Sequence, residues 1–462
     1  MFQLNFVDRE KEMEFLERFY RKNGAQMLVI YGRRRVGKTE LIKQFVKDKP
    51  HVYFLADQRG DIQNLTELKG LVADYIKNPL LKKADIKDWI ELFNEFSKSI
   101  YKKTILVIDE FPALIESNKA IPSIFQKLWD TNLSKTAIIL ILTGSSIGMM
   151  ETDVLGYQSP LYGRRTGQWM LEPLRFRDIS EFFPGYDFQD IIKCYAALDG
   201  IPLYLLKFDK SLTFEDNIKQ KIFTRGEYLY QEAEILLRQE LREPANYFNI
   251  LKAVSFGRQK FGEIARFSNI DHSLLSKYLD NLIKLKILKK EFPITENRET
   301  RNAHYIFSDN YYMFWFRYVY PNKSMIEEDM QEGLLKKIKD DTNIYYALIF
   351  ENVCHQFLME QNPKLLQEFT KIGRWWHKDK EIDIVALNET KKEILFAECK
   401  WQANVNAENI FLELKEKAKH VDWNNNNREE HFAIFAKSFS KRADGCFLFD
   451  FKDMEKVFKG AR

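Results

Sequence analysis

Gly32-Arg33-Arg34-Arg35-Val36-Gly37-Lys38-Thr39 follows directly on the apolar run Gln26–Tyr31 and opens a helical pattern from Thr39 to Lys47. The spacing is G-x-x-x-x-G-K-[ST], between a strand and a helix, and reads as a phosphate-binding loop. Glycine lets the backbone turn its N–H groups around phosphate oxygens, and the helix N-terminus adds a favourable field. Lys38 is expected to reach the β and γ phosphates, and Thr39 to offer its hydroxyl to magnesium. The eight residues Gly32, Arg33, Arg34, Arg35, Val36, Gly37, Lys38 and Thr39 are therefore the expected nucleotide-binding loop.

Working outward, Val52 to Ala56, Thr104 to Ile108 and Ala137 to Leu142 are further strand-like runs, with helical periodicity through residues 61 to 100. Strands separated by helices predict a parallel sheet covered on both faces. The run Ile105–Ile108 ends in Asp109-Glu110. Two carboxylates at the end of an apolar strand are costly unless they have work. Asp109 is expected to hold magnesium and Glu110 to polarise the attacking water. No Asn-Lys-x-Asp guanine signature occurs, so ATP is expected rather than GTP. The next strand ends in Thr143-Gly144-Ser145-Ser146, and either Thr143 or Ser145 could sense the γ-phosphate. In Gly163-Arg164-Arg165, a mobile arginine could neutralise charge in its own subunit or a neighbour's, and Arg165 is taken as part of the site. The alternative is a surface salt bridge. Pro202, in Gly200-Ile201-Pro202, could pack on the adenine or simply make a turn.

These elements, with Phe6-Val7-Asp8-Arg9-Glu10 at the start, together resemble the archaeal-type ATPases of the AAA+/STAND group. The resemblance covers roughly the first half of the chain. It implies that Asp8 and Arg9 border the adenine pocket.

Beyond the ATPase core (1–170) the sequence predicts a helical lid (171–245), a winged helix (246–310), a connector (311–340) and a C-terminal α/β domain (341–462). The winged helix rests on helices at Tyr247–Ser255, from Phe261, and at Ser273–Leu285, then a hairpin spanning Ile287 to Ile306. In such modules the third helix enters the major groove. Lys277, Lys284, Lys286, Lys289 and Lys290 could then meet phosphates, or simply form a solvated face.

In the last segment, Glu381–Leu387 and Ile394–Lys400 read as strands following a helix at Tyr345–Met359. Residues i and i+2 of a strand share a face, so Glu398, Lys400 and Gln402 point together. Asp383 and Glu398 are expected to hold magnesium, with Glu351 as a further acidic ligand. Lys400 is expected to orient or deprotonate the water. This pattern resembles the PD-(D/E)xK restriction-endonuclease-like fold, with Ile382-Asp383 in place of Pro-Asp. The last third, with Phe350-Glu351-Asn352-Val353-Cys354, also resembles the domain of unknown function often fused to archaeal-type ATPases.

Bulk properties agree with a globular chain: 45% hydrophobic, 30% charged, net charge +4 over 462 residues. That charge permits a nucleic-acid partner without requiring one. The four cysteines are far apart and the seven histidines scattered, so neither a zinc site nor a disulfide framework is expected. The N-terminal residues show no signal-peptide pattern, and Ala137–Leu142 is far short of a membrane span. A cytoplasmic protein is expected, with ATP and DNA as partners and a homo-oligomer possible. Two functional readings lead. One is an ATP-driven enzyme with a nuclease-like tail; the other is a STAND-like switch with a non-catalytic binding tail. A third, an ATP-dependent protein remodeller, is weaker because the sequence of the ATPase core shows no substrate-threading loop of the aromatic-Gly type.

Overall fold

A computed structural model describes residues 7–241, 243–296, 302–365, 369–425 and 427–460, with the backbone alone at 362–365. Phe6 of the N-terminal motif and residues 297–301 of the expected hairpin lie outside them. The chain divides into two compact units: Met1–Leu174 with Ile201–Leu203, and Arg175–Gly200 with Tyr204–Arg462. The five segments expected from the sequence are thus distributed over two units.

The first unit is built on five strands: β1 Gln26–Tyr31, β2 His51–Leu55, β3 Thr104–Asp109, β4 Ile138–Gly144 and β5 Gly167–Met170. They are parallel, in the order β2-β3-β4-β1-β5. β1, β3 and β4 are buried along their whole lengths. Helices cover a parallel sheet on both faces, which is why these strands read as unbroken apolar runs. In register, Leu55 lies beside Asp109 and Tyr31 beside Gly144. The loops that follow β1, β3 and β4 therefore leave the same sheet edge, where open α/β sheets bind ligands. Edge strand β5 carries no apolar run, and the sequence pattern did not reveal it.

The second unit begins with helices Phe176–Ile179, Phe188–Leu198 and Tyr228–Glu240. Helices Pro244–Ser255, Phe261–Ser268 and His272–Lys284 follow, then the antiparallel strands β6 Leu288–Glu291 and β7 His304–Phe307. His272–Lys284 buries Leu275, Leu279 and Leu282, while Leu274 stays 46% exposed. In the stretch expected as a connector, 311–340, helical turns cover residues 310–322 and Lys323–Glu327 before the long helix begins at Gln331. Tyr311, Trp315, Phe316 and Tyr318 are buried, and the helix expected at Tyr345–Met359 runs from Gln331 to Leu365. Aromatic side chains this dense gain far more by burial than by exposure, roughly 25 cal/mol per Å².

The C-terminal sheet contains β8 Lys371–His377, β9 Lys380–Asn388, β10 Glu393–Lys400, β12 Glu429–Ala436 and β14 Phe447–Phe449; the short β11 Val405–Asn406 pairs apart with β13 Phe439–Lys441. Its order is β14-β12-β10-β9-β8. β8, β9 and β10 are antiparallel, and β10, β12 and β14 parallel. Helix Ala407–Ala418 packs on one face through Phe411 against Phe432, and the long helix on the other through Phe357 against Phe435. Both faces of β10 are covered, so Glu398 enters a buried layer.

Candidate nucleotide site and carboxylate cluster

The loop after β1 is shaped by two glycines. Gly32 sits at φ +152°, and a Cβ there would lie 2.3 Å from the carbonyl oxygen of Leu171. No other residue fits that approach. Gly37, at φ +99°, precedes the helix Lys38–Val46. Arg9 braces the loop from outside: its guanidinium donates to the carbonyls of Val36 (3.1 Å) and Glu172 (2.8 Å). Arg9 thus meets the loop backbone; the implied adenine-border role rests on the resemblance alone. Lys38 is 6% exposed, and its ammonium arches back to the carbonyls of Gly32 (2.8 Å) and Arg33 (2.9 Å).

Asp109 is 2% exposed and is the hub beneath the loop. Its Oδ2 accepts from the Thr39 hydroxyl at 3.0 Å and from the Tyr53 phenol. Its Oδ1 accepts from the Thr143 hydroxyl and from the Glu110 backbone N–H at 3.1 Å. Burial, and then the bond to Asp109, push the Tyr53 phenol well above its ordinary range. Tyr53 was missed in the sequence. Its only signal was a tyrosine inside the strand that pairs with β3.

Glu110 holds a left-handed backbone (φ 56°), and its Oε2 accepts from the Ser145 hydroxyl at 2.8 Å. Thr143 therefore serves Asp109, and Ser145 serves Glu110. Arg164 is held by Asp130 at 2.8 Å, which is the salt-bridge alternative for that residue. Arg165 lies over the Tyr162 ring, 5.6 Å from its centroid. Pro202 opens the short helix Pro202–Leu205, and residues 201–203 group with the first unit.

In the second unit, the Cys399 backbone N–H donates to Asp383 at 2.8 Å, tying neighbouring strands β9 and β10. Glu398 is 3% exposed and takes two lysines, Lys400 at 2.6 Å and Lys417 at 2.7 Å. Burial and then the Glu398 charge push Asp383 up to about 6. Burial also pushes Glu351 up to about 8, against Arg374 at 3.3 Å and with the help of Asp383. Burial disfavours the Lys400 ammonium, but the Glu398 charge and hydrogen bond outweigh it, and its pKa is raised. Lys400 is thus a charged donor here and is suited to orienting water rather than deprotonating it.

Among the described residues, no group of three or more His, Cys, Asp or Glu side chains is placed to hold a metal ion. Glu351 turns to Arg374, which leaves Asp383 and Glu398 as a pair. Asp383, raised by burial and by the neighbouring Glu398 charge, forms with Glu398 a carboxylate donor pair whose repulsion a divalent cation would relieve. Lys417 and Arg374 were not anticipated; neither stands in a motif, and each reaches the cluster from a different element.

A parallel sheet with this loop after its first strand, and an acidic strand end beneath it, defines a P-loop ATPase. Residues 6–208 match the ATPase domain found predominantly in Archaea. Residues 315–412 match a domain of archaeal and bacterial proteins of unknown function. An uncharacterized protein of Methanocaldococcus jannaschii is 38% identical over 453 residues, covering 97% of this chain and 99% of that protein. The chain belongs to this family of archaeal-type ATPases. An uncharacterized ATP-binding protein of the same organism is 57% identical over 44 residues, covering 10% of this chain and 75% of that protein. A Walker-type ATPase of Pyrococcus abyssi shares the fold, with TM-score 0.52 and 22% identity over 68% of this chain and 97% of that one. No helix among the described residues is long and apolar enough to cross a membrane.

Proposed function

We propose that the chain hydrolyses ATP at the Gly32–Thr39 loop and uses the cycle to govern a nuclease-like C-terminal domain on DNA. The observation that carries the first part is the Asp109 hub, which places Thr39, Tyr53 and Thr143 on one buried carboxylate. Backbone N–H groups of the loop cradle the phosphates, and the Lys38 ammonium exchanges carbonyl partners for phosphate oxygens. Glu110, aligned by Ser145, polarises the attacking water. Thr39 and Asp109 are the residues that hold magnesium, which neutralises phosphate charge when bound. Arg165, rather than the Asp130-bound Arg164, neutralises transition-state charge, in its own subunit or across a homo-oligomer. Pro202 packs on the adenine.

The second part rests on Asp383, Glu398 and Lys400, on neighbouring strands of one sheet. The helices and hairpin of 246–310 act as a winged helix that meets DNA phosphates through Lys277, Lys284, Lys286, Lys289 and Lys290. The C-terminal domain has a restriction-endonuclease-like fold. Asp383 and Glu398 are the pair that holds magnesium there, which activates water when bound. Lys400 orients that water. The test is cleavage of plasmid and single-stranded DNA with magnesium or manganese, with and without ATP, in wild type, Asp383→Ala and Lys400→Ala. Cleavage lost in both variants supports the nuclease; none by wild type on any substrate removes it.

One observation favours a second reading. Both Glu398 oxygens are taken by lysines, an arrangement that also suits a non-catalytic binding tail on an ATP-controlled switch. ATP turnover that rises with DNA supports the enzyme; slow, DNA-independent turnover supports the switch.

A further inference from the structure

A cavity of about 390 Å³ lies in the second unit, and Asp383 and Glu351 are part of its lining. Lys289 and Glu291 of β6 line it as well, so the hairpin and the C-terminal strands share it. The hairpin segment is fastened there. Ile294 N–H donates to the Arg374 carbonyl at 2.9 Å. The His304 ring stacks on Trp376 with centroids 4.3 Å apart, and the Trp376 indole donates to the Asn302 carbonyl at 3.2 Å.

Asp383 and Glu351 of the carboxylate cluster therefore border a half-open pocket of single-ligand size. Ile306, Phe307, Ile372 and Ile384 give the pocket apolar walls, while Lys289 and Arg374 bring cationic heads. Each is paired with a lining carboxylate, Glu291 at 3.5 Å and Glu351 at 3.3 Å, that a phosphate would have to displace. Apolar walls suit the faces of a base, and cations suit the phosphate that follows it. The volume lies at the small end of ligand pockets, about 300–1,000 Å³. A duplex cannot enter it, since its major groove alone is about 12 Å wide.

From this combination we infer that the pocket receives one unpaired nucleotide of a DNA strand. The substrate of the C-terminal site is then single-stranded DNA or a frayed end, not intact duplex. A flipped or unpaired base costs little to place when the strand is already single. For cleavage, the inference rests on the nuclease reading; for binding, it stands without it.

Asn352 is exposed and lines the cavity, so a large side chain there blocks the pocket without entering the core. The test uses the full chain and a fluorescein-labelled single strand of about a dozen nucleotides, with anisotropy measured in EDTA. Asn352→Trp should weaken single-strand binding about tenfold, while Asn352→Ala stays within about threefold of wild type. Both variants should keep wild-type ATP turnover and the wild-type calorimetric transition of the second unit, which shows that both units fold. A blunt duplex of the same sequence should lose no affinity in either variant. Single-strand binding unchanged in Asn352→Trp, or duplex binding weakened by the same factor, overturns the inference. Cleavage is scored separately with magnesium. Binding lost in Asn352→Trp with no cleavage by wild type keeps the pocket and removes the nuclease. Cleavage of single strands untouched by Asn352→Trp keeps the nuclease and removes the pocket.

Discussion

Asp383→Asn should make the second unit more stable, and the gain should grow with pH. An acid with a raised pKa in the folded state holds its proton better there than in the unfolded chain. Its contribution to stability is present below the unfolded value and is lost as pH rises through the folded value. For Asp383 these values are 3.8 and about 6. The carboxylate therefore costs about 3 kcal/mol at pH 8, from about 1.4 kcal/mol per unit. About half of that cost applies at pH 5. Asparagine keeps an oxygen for the Cys399 N–H and removes the charge that repels Glu398. At roughly 2 °C per kcal/mol for a unit of this size, Tm should rise by about 6 °C at pH 8 and about half as much at pH 5. Differential scanning calorimetry in EDTA measures both, and the mutated unit is assigned by its own transition. An equal rise at both pH values, or a less stable variant at pH 8, would refute the assignment of a strained carboxylate to Asp383.

Three further outcomes are expected. Gly32→Ala places a Cβ 2.3 Å from the Leu171 carbonyl oxygen, so ATP binding measured by calorimetry should vanish along with a lowered Tm of the first unit. Tyr53→Phe removes a donor to a buried carboxylate and should cost about 1.5–3 kcal/mol in urea unfolding, the range for bonds to charged groups; an unchanged midpoint would show that the Asp109 hub does not depend on it. Glu110→Gln should still bind ATP but turn it over about a hundredfold more slowly or worse, as loss of a positioned base does; turnover near wild type would remove Glu110 from that role.

Much of the first unit is readable from sequence because its signals are local. Gly32–Thr39 is contiguous, and the strands before it and at 104–109 are apolar from end to end. A strand buried on both faces and a loop that needs glycine at fixed places each leave a mark within a few residues. Asp109 and Glu110 were visible for the same reason: charge at the end of such a strand has no other cheap explanation. What joins these pieces is not local. That Thr143 meets Asp109 while Ser145 meets Glu110 depends on the parallel register of β3 and β4, which no short pattern encodes. Tyr53 entered the site only through the pairing of β2 with β3.

The second unit shows the limit more sharply. Asp383, Glu398 and Lys400 stood out because alternation along a strand places polar groups on a definable face. The sequence thereby determined which carboxylates compete for one buried layer. Tertiary structure alone decided what neutralises them: Lys417 arrives from the helix Ala407–Ala418, and Arg374 from β8, bringing Glu351 to itself. It also decided that residues 311–319 pack as buried helix, because aromatic density records a tendency to be buried but not the surface that will bury it. The physical reason is the same in each case. Backbone propensity and side-chain periodicity act over a few residues, whereas charge pairing and burial are settled between segments that only the fold brings together.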